Sequence, residues 1–332
     1  MFFKYSDEKI KYIGRWAPYE GSMTATAVGS RFTVNFKGEK AILHFDTFFN
    51  QAPLPHLWLQ VDGGAKVEVT LDRYIRIVAN GGGVHSVTVT LKSMVEMFPR
   101  WNMPLTNKIS FLGIEAEELD VVADSGKKIM EIVGDSITEG VLTDPDYSPV
   151  PINFNIAPWQ LDENNRPWQD DVCATYGWLT AEALGFEPII MGYGAVGTTR
   201  SGCGGVVSAP EAYPYCFSGA PISYPHPDYV LINHGTNDRE ATVERFTECY
   251  RALLDEVFKA HPNTQVICMS PFIGAYRNEI EEIAAQYNKE HGTNILFVNG
   301  SEWLPADPLH PARQGHAFAA EKLTEVLKGL LK

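Results

Sequence analysis

Ile129-Met130-Glu131-Ile132-Val133-Gly134-Asp135-Ser136-Ile137-Thr138-Glu139-Gly140 reads as a largely apolar strand that runs into a tight turn and a helix start. Further short apolar runs follow at 188–192, 229–233, 265–269 and 295–298. The segments between them carry helical spacing. One has Val243, Phe246, Tyr250, Leu253, Leu254, Val257 and Phe258, and the last has Phe318, Leu323, Val326, Leu327, Leu330 and Leu331. Apolar strands alternating with amphipathic helices predict a parallel five-stranded α/β sheet with helices on both faces. Ligands of such sheets bind beyond the carboxyl ends of the strands, so the residues after each run hold the chemistry.

Upstream, from Ile13 to about Val122, the pattern is different. Short β-rich runs at 31–36, 41–45, 57–62 and 86–91 alternate apolar with polar residues, as half-buried antiparallel strands do. Asp62-Gly63-Gly64 and Asn80-Gly81-Gly82-Gly83 supply turn residues that tolerate positive φ. We therefore expect an all-β sandwich of jelly-roll kind over 1–125, then the α/β unit over 126–332. The stretch from about 143 to 167 is rich in Pro, Asn, Asp and aromatics and reads as a long loop.

The composition fits two sizeable cores: 332 residues, 45% hydrophobic and 20% charged. With 27 Lys and Arg against 41 Asp and Glu, the net charge is −14. Such a surface repels nucleic-acid phosphates and anionic lipid, so neither a nucleic acid nor a membrane is an expected partner. No stretch approaches the roughly 20 apolar residues of a membrane span. Met1 to Glu8 turns polar at once without an apolar signal core, which predicts a cytoplasmic protein. Cys173, Cys203, Cys216, Cys249 and Cys268 are dispersed and never in CxxC spacing. That suits free thiols in a reducing compartment; a Cys203–Cys216 bridge is the alternative.

Each strand end offers two readings. Ser136 sits where helix N–H groups favour developing negative charge, but Ser and Asp also serve as ordinary helix caps. Gly192-Tyr193-Gly194-Ala195-Val196-Gly197 matches a dinucleotide-binding pattern. It follows the second strand rather than the first, and no acidic residue ends the next strand, so an exposed N–H at a tight turn fits better. Gly235-Thr236-Asn237-Asp238 is either an amide donor into the cleft or an Asx-capped turn. Asp307-Pro308-Leu309-His310 can supply an imidazole base and its orienting carboxylate from one segment. The competing use is a metal site from Asp307, His310 and His316, which lacks a further ligand cluster.

These four blocks, in this order, resemble those of the SGNH hydrolases, or GDSL-type esterases, over about 128–332. The resemblance implies a flavodoxin-like sheet, Ser136 as nucleophile, His310 as base and Asp307 as orienting acid. It implies an oxyanion hole from the N–H groups of Ser136 and Gly194 and the Asn237 amide, with no metal or other cofactor. A sandwich placed ahead of such a unit is similar to carbohydrate esterase family two, whose members deacetylate plant polysaccharides and their oligosaccharides. Gly14-Arg15-Trp16 fits that arrangement. The expected function is a serine O-acetyl esterase whose partner is an acetylated mannan- or xylan-type oligosaccharide. The alternatives are an SGNH lipase or lysophospholipase, and a carbohydrate-binding module fused to a degenerate hydrolase. Aromatic faces pack on sugar rings, which makes Trp159, Trp168, Tyr193 and Trp303 candidates for the cleft, with Trp101 reaching across from the sandwich. The segment 142–171 is long for a minimal SGNH unit.

Overall fold

A computed structural model describes residues 1–146 and 166–331. The N-terminal strands are β1 (Phe2–Lys4), β2 (Ile10–Ile13), β3 (Trp16–Tyr19), β4 (Ser22–Ala25), β5 (Arg31–Lys37) and β6 (Lys40–Phe45). They continue as β7 (His56–Val61), β8 (Val67–Thr70), β9 (Tyr74–Val78), β10 (Val84–Ser93), β11 (Ile109–Glu115) and β12 (Leu119–Asp120). One sheet runs β3-β4-β11-β6-β9 with β1 beside β11; the other runs β12-β5-β10-β7-β8 with β2 beside β5. Every pairing within them is antiparallel. Along β5, Phe32, Val34 and Phe36 are fully buried while Thr33 and Asn35 between them are not, the alternation of a one-sided strand. Phe32 stacks on Phe111 of the facing sheet at 4.1 Å between ring centres, which closes the sandwich.

The C-terminal half holds a five-stranded parallel sheet of β13 (Ile129–Gly134), β14 (Glu187–Gly192), β17 (Tyr229–Asn233), β18 (Gln265–Met269) and β19 (Leu296–Val298). A small hairpin of β15 (Tyr215–Phe217) and β16 (Ala220–Pro221) stands outside it. The helices are α1 (Ser136–Glu139), α2 (Tyr176–Ala183), α3 (Ala209–Ala212), α4 (Val243–Ala260), α5 (Arg277–His291) and α6 (Arg313–Leu330). Spatial order β14-β13-β17-β18-β19 places the second strand beside the first and the rest outward on the other side. That is a flavodoxin-like order, whose switch point opens a crevice at the carboxyl ends of the central strands.

Continuous apolar runs follow from two covered faces. Met130 and Ile132 of β13 pack into one cluster with Tyr176, Ala181, Leu323 and Leu327 of α2 and α6. Val133, on the opposite face, packs with Phe246, Leu253 and Ile283 of α4 and α5. Leu231 and Ile232 divide in the same way. Of the five cysteines none is bridged, so the Cys203–Cys216 alternative does not apply. Among the described residues no helix is long and apolar enough to cross a membrane.

The two halves are tied by charge as well as packing. Arg15 of the sandwich reaches Glu131 of β13 at 2.7 Å, with both side chains fully buried. Tyr213 donates to the same carboxylate at 2.7 Å, and the Tyr224 hydroxyl also bonds it. Arg31 pairs with Glu187 at the start of β14. Removing one partner of a buried pair leaves the other charge uncompensated, at about 3–5 kcal/mol. Arg15→Ala is expected to lower the unfolding free energy by that much in urea titrations; a loss below about 1 kcal/mol would show that Glu131 is held adequately by its tyrosines.

Candidate active site

Ser136 is the first residue of α1, one turn of helix that begins as soon as β13 ends. Asp135 caps the turn, accepting from the Ile137 N–H at 3.0 Å. Gly140 closes it in the left-handed region (φ 91°), and a β-carbon there would lie 2.6 Å from the Asp171 carbonyl. Ser136 is 8% exposed, so it is enclosed yet reachable from the surface.

His310 arrives from the loop between β19 and α6, and its Nε2 lies 2.8 Å from Ser136 Oγ. The two segments are stapled just beyond this contact. The Arg313 N–H donates to the Thr143 carbonyl at 2.7 Å. Its guanidinium spans Asp144 at 2.9 and 2.6 Å and Asp171 at 2.9 Å. Forked donors against two carboxylates fix orientation as well as distance. Burial, then the nearby Arg166 charge, lowers the His310 pKa from its ordinary value. A neutral imidazole that accepts the serine proton is thereby favoured.

The expected contact between Asp307 and His310 is not formed in this structure. The Asp307 side chain is exposed and forms no hydrogen bond or ion pair with His310. Three residues of separation permitted that contact, but the segment after β19 is a run of turns that leaves the carboxylate in solvent. His316, its possible co-ligand for a metal, is fully buried and accepts from the Tyr176 N–H at 3.2 Å.

Expected oxyanion donors gather at the site with acceptors already in place. The Gly194 N–H donates to Glu139 Oε2 at 2.7 Å. The Asn237 amide donates to Asp135 Oδ2 at 3.3 Å and to the Val196 carbonyl at 3.1 Å. Ser136 contributes an N–H in the first turn of a helix, where backbone donors lack intrahelical acceptors. Burial raises the Asp135 pKa to about 7, which suits a carboxyl that holds Asn237 without a full charge.

Sequence reasoning overlooked what surrounds Gly194. Arg100, from the sandwich, is fully buried against Glu139, with Nη2 3.0 Å from Oε2 and Nη1 on Oε1. Glu96 presses on Gly194 so closely that a β-carbon there would sit 2.1 Å from its Oε2. Burial and the Glu139 charge raise the Glu96 pKa, against Arg100 and Arg166. The signal was present in Phe98-Pro99-Arg100-Trp101-Asn102, where the arginine rather than the tryptophan meets the site.

Of the aromatic candidates, Trp101 and Tyr193 belong to the core. Trp101 is 3% exposed and packs edge-on to Tyr193, which is fully buried with the Arg100 guanidinium over its ring. Neither offers a free face to a sugar. Trp303 is half-buried against the main core, and Trp168 is half-buried in a cleft at the seam of the two halves. Trp159 lies outside the described residues. His234 and Asp238 are structural: burial lowers the His234 pKa to about 4, and Asp238 accepts from the backbone and hydroxyls of Thr198 and Thr199.

A serine and a histidine in contact at the carboxyl edge of a flavodoxin-like sheet define a serine-hydrolase site. Residues 132–318 match the GDSL-like lipase/acylhydrolase family, and the chain belongs to it and is a carboxylic ester hydrolase. Its fold resembles a family two carbohydrate esterase from Clostridium thermocellum in complex with cellohexaose. The TM-score is 0.76 at 20% identity, over 97% of this chain and 99% of that one. A family two carbohydrate esterase from Cellvibrio japonicus gives 0.75 at 19% identity, over 99% and 97%. An acetyl xylan esterase from the rumen bacterium Butyrivibrio proteoclasticus gives 0.75 at 18%, over 100% and 98%. Sequence comparison with curated proteins finds no match.

Two outcomes follow from this geometry. Asp307→Asn should lower kcat by less than about tenfold on an aryl acetate, whereas a carboxylate that orients the base is worth up to about 10⁴; a loss near that size would put Asp307 on His310. Because a lowered pKa keeps His310 neutral further into acid, the acid limb of kcat/KM should fall below the ordinary histidine value of about 6.5. Arg166→Gln removes a like charge, so the limb should move to higher pH, and a limb that stays in place would exclude that charge as a cause.

Proposed function

We propose that the protein is a serine O-acetyl esterase that removes acetyl groups from mannan- or xylan-type oligosaccharides. The observation that carries this reading is the 2.8 Å contact between Ser136 Oγ and His310 Nε2, which is partly buried. His310 takes the serine proton as Oγ attacks the acetyl carbonyl. The imidazolium then protonates the departing sugar alcohol, and water repeats the cycle on the acetyl-enzyme.

Negative charge on the tetrahedral intermediate meets the Ser136 N–H first. Gly194 and Asn237 join by exchanging carboxylate and carbonyl acceptors for the developing oxyanion, so their bonds are traded rather than newly made. A preorganised donor such as the Ser136 N–H is typically worth about 3–4 kcal/mol in the transition state. The acetyl specificity and the carbohydrate leaving group draw support from the family two esterases that share this fold, among them the acetyl xylan esterase. A net charge of −14 suits a neutral substrate better than an anionic one.

The test is acetate release from acetylated mannan and xylan oligosaccharides, with NMR to show which positions lose acetyl. Ser136→Ala should keep the fold and lose at least about three orders of magnitude in rate. Faster release of medium-chain acids than of acetate from nitrophenyl esters would turn the assignment toward a lipase.

A further inference from the structure

Before the Gly194 N–H can reach an oxyanion it must leave Glu139 Oε2, which lies 2.7 Å away. A buried acceptor stripped of its donor is costly, and an unmatched carboxylate also opposes a developing oxyanion by its charge. Both penalties fall on the transition state, so they act on kcat rather than on substrate binding.

Arg100 meets both. It is fully buried, with Nη2 3.0 Å from the same Oε2 and Nη1 on Oε1. When the Gly194 N–H turns away, Oε2 keeps one charge-assisted donor and the carboxylate stays matched. The surrounding turn is fixed by separate bonds. The Gly194 carbonyl accepts from the Cys203 N–H at 2.8 Å, and the Arg100 N–H donates to the Gly204 carbonyl at 3.0 Å. One N–H can therefore change partner while the loop around it stays in place.

Neighbouring charges show how little negative charge this place accepts. Glu96 borders Gly194, and burial, then the Glu139 charge, pushes its carboxyl up, against Arg100 and Arg166. Burial pushes Asp170 up to about 7, and the Glu139 and Glu96 charges add to that. The Tyr193 ring centre lies 5.1 Å from the Arg100 guanidinium and brings no charge of its own. Even with two arginines at hand, a second negative charge beside Glu139 is resisted, and an oxyanion is such a charge.

We propose that Arg100 is a positioning residue for ester hydrolysis, acting through Glu139: it matches that carboxylate so that the Gly194 N–H can pass to the oxyanion. That role rests on the oxyanion hole proposed above, whichever alcohol leaves.

The experiment uses the full chain with an aryl acetate as substrate and phenylboronic acid as probe. The boron accepts the Ser136 Oγ lone pair as the serine proton passes to His310, which gives a tetrahedral anion like the intermediate. Arg100→Gln should lower kcat about tenfold or more with KM within about twofold. Its inhibition constant for phenylboronic acid should rise by the same factor. Adding Glu139→Gln to Arg100→Gln removes the unmatched charge and should recover at least about fivefold in kcat; lost packing alone would only deepen the defect. Should Arg100→Gln not fold, Arg100→His supplies a cation that can be titrated. Its kcat relative to wild type should fall about tenfold as pH rises through the histidine range, about 6.5 and upward beside a carboxylate, because the imidazolium that matches Glu139 is lost. An unchanged kcat or a loss confined to KM in Arg100→Gln, no recovery in the double variant, an unmoved boronate constant, or a flat ratio for Arg100→His would overturn the proposal. If the wild type cleaves no ester, or Ser136→Ala cleaves it as fast, the reading of the site fails and this role with it. A Ser136-dependent enzyme indifferent to Arg100 overturns this role alone.

Discussion

Two buried arginines from the sandwich bracket the nucleophile. Arg15 holds Glu131 within β13, and Arg100 holds Glu139 at the end of the turn that Ser136 begins. Desolvating such pairs costs about as much as their attraction returns, so added stability is a weak reason for them. Direction is the better one. A charge that must be met at one place fixes the strand, the turn and the sandwich to one another, and the Ser136–His310 contact inherits that registration.

Glu139 passes the constraint onward. Its carboxylate, held by Arg100, receives the Gly194 N–H, and the loop after β14 is thereby set beside the nucleophile. Glu96 fills the space a side chain at Gly194 would need. The sandwich therefore forms part of the wall of the reaction site, and its role exceeds that of a spacer.

Electrostatics at the site favour neutral partners over charged ones. Burial raises both Asp135 and Asp170 to about 7, raises Glu96, and lowers His310. The lowered His310 pKa keeps the imidazole ready to accept a proton.

Much of this was legible in the chain. The strands of the parallel sheet lie where the apolar runs placed them, because burial on both faces demands apolar residues at every position. Ser136 and His310 stand at strand ends, because that is where this topology leaves backbone free for chemistry. What spacing could not give was side-chain direction within loops. Asp307 and His310 are three residues apart, yet turns leave Asp307 in solvent; Trp101 and Arg100 are neighbours, yet the arginine meets the site while the tryptophan packs on Tyr193. Periodicity is a local property of the backbone, so the sequence alone determined the layers and their order. Partner choice at each loop side chain depends on which distant carboxylate, ring or void lies opposite, and only the packed structure decided that.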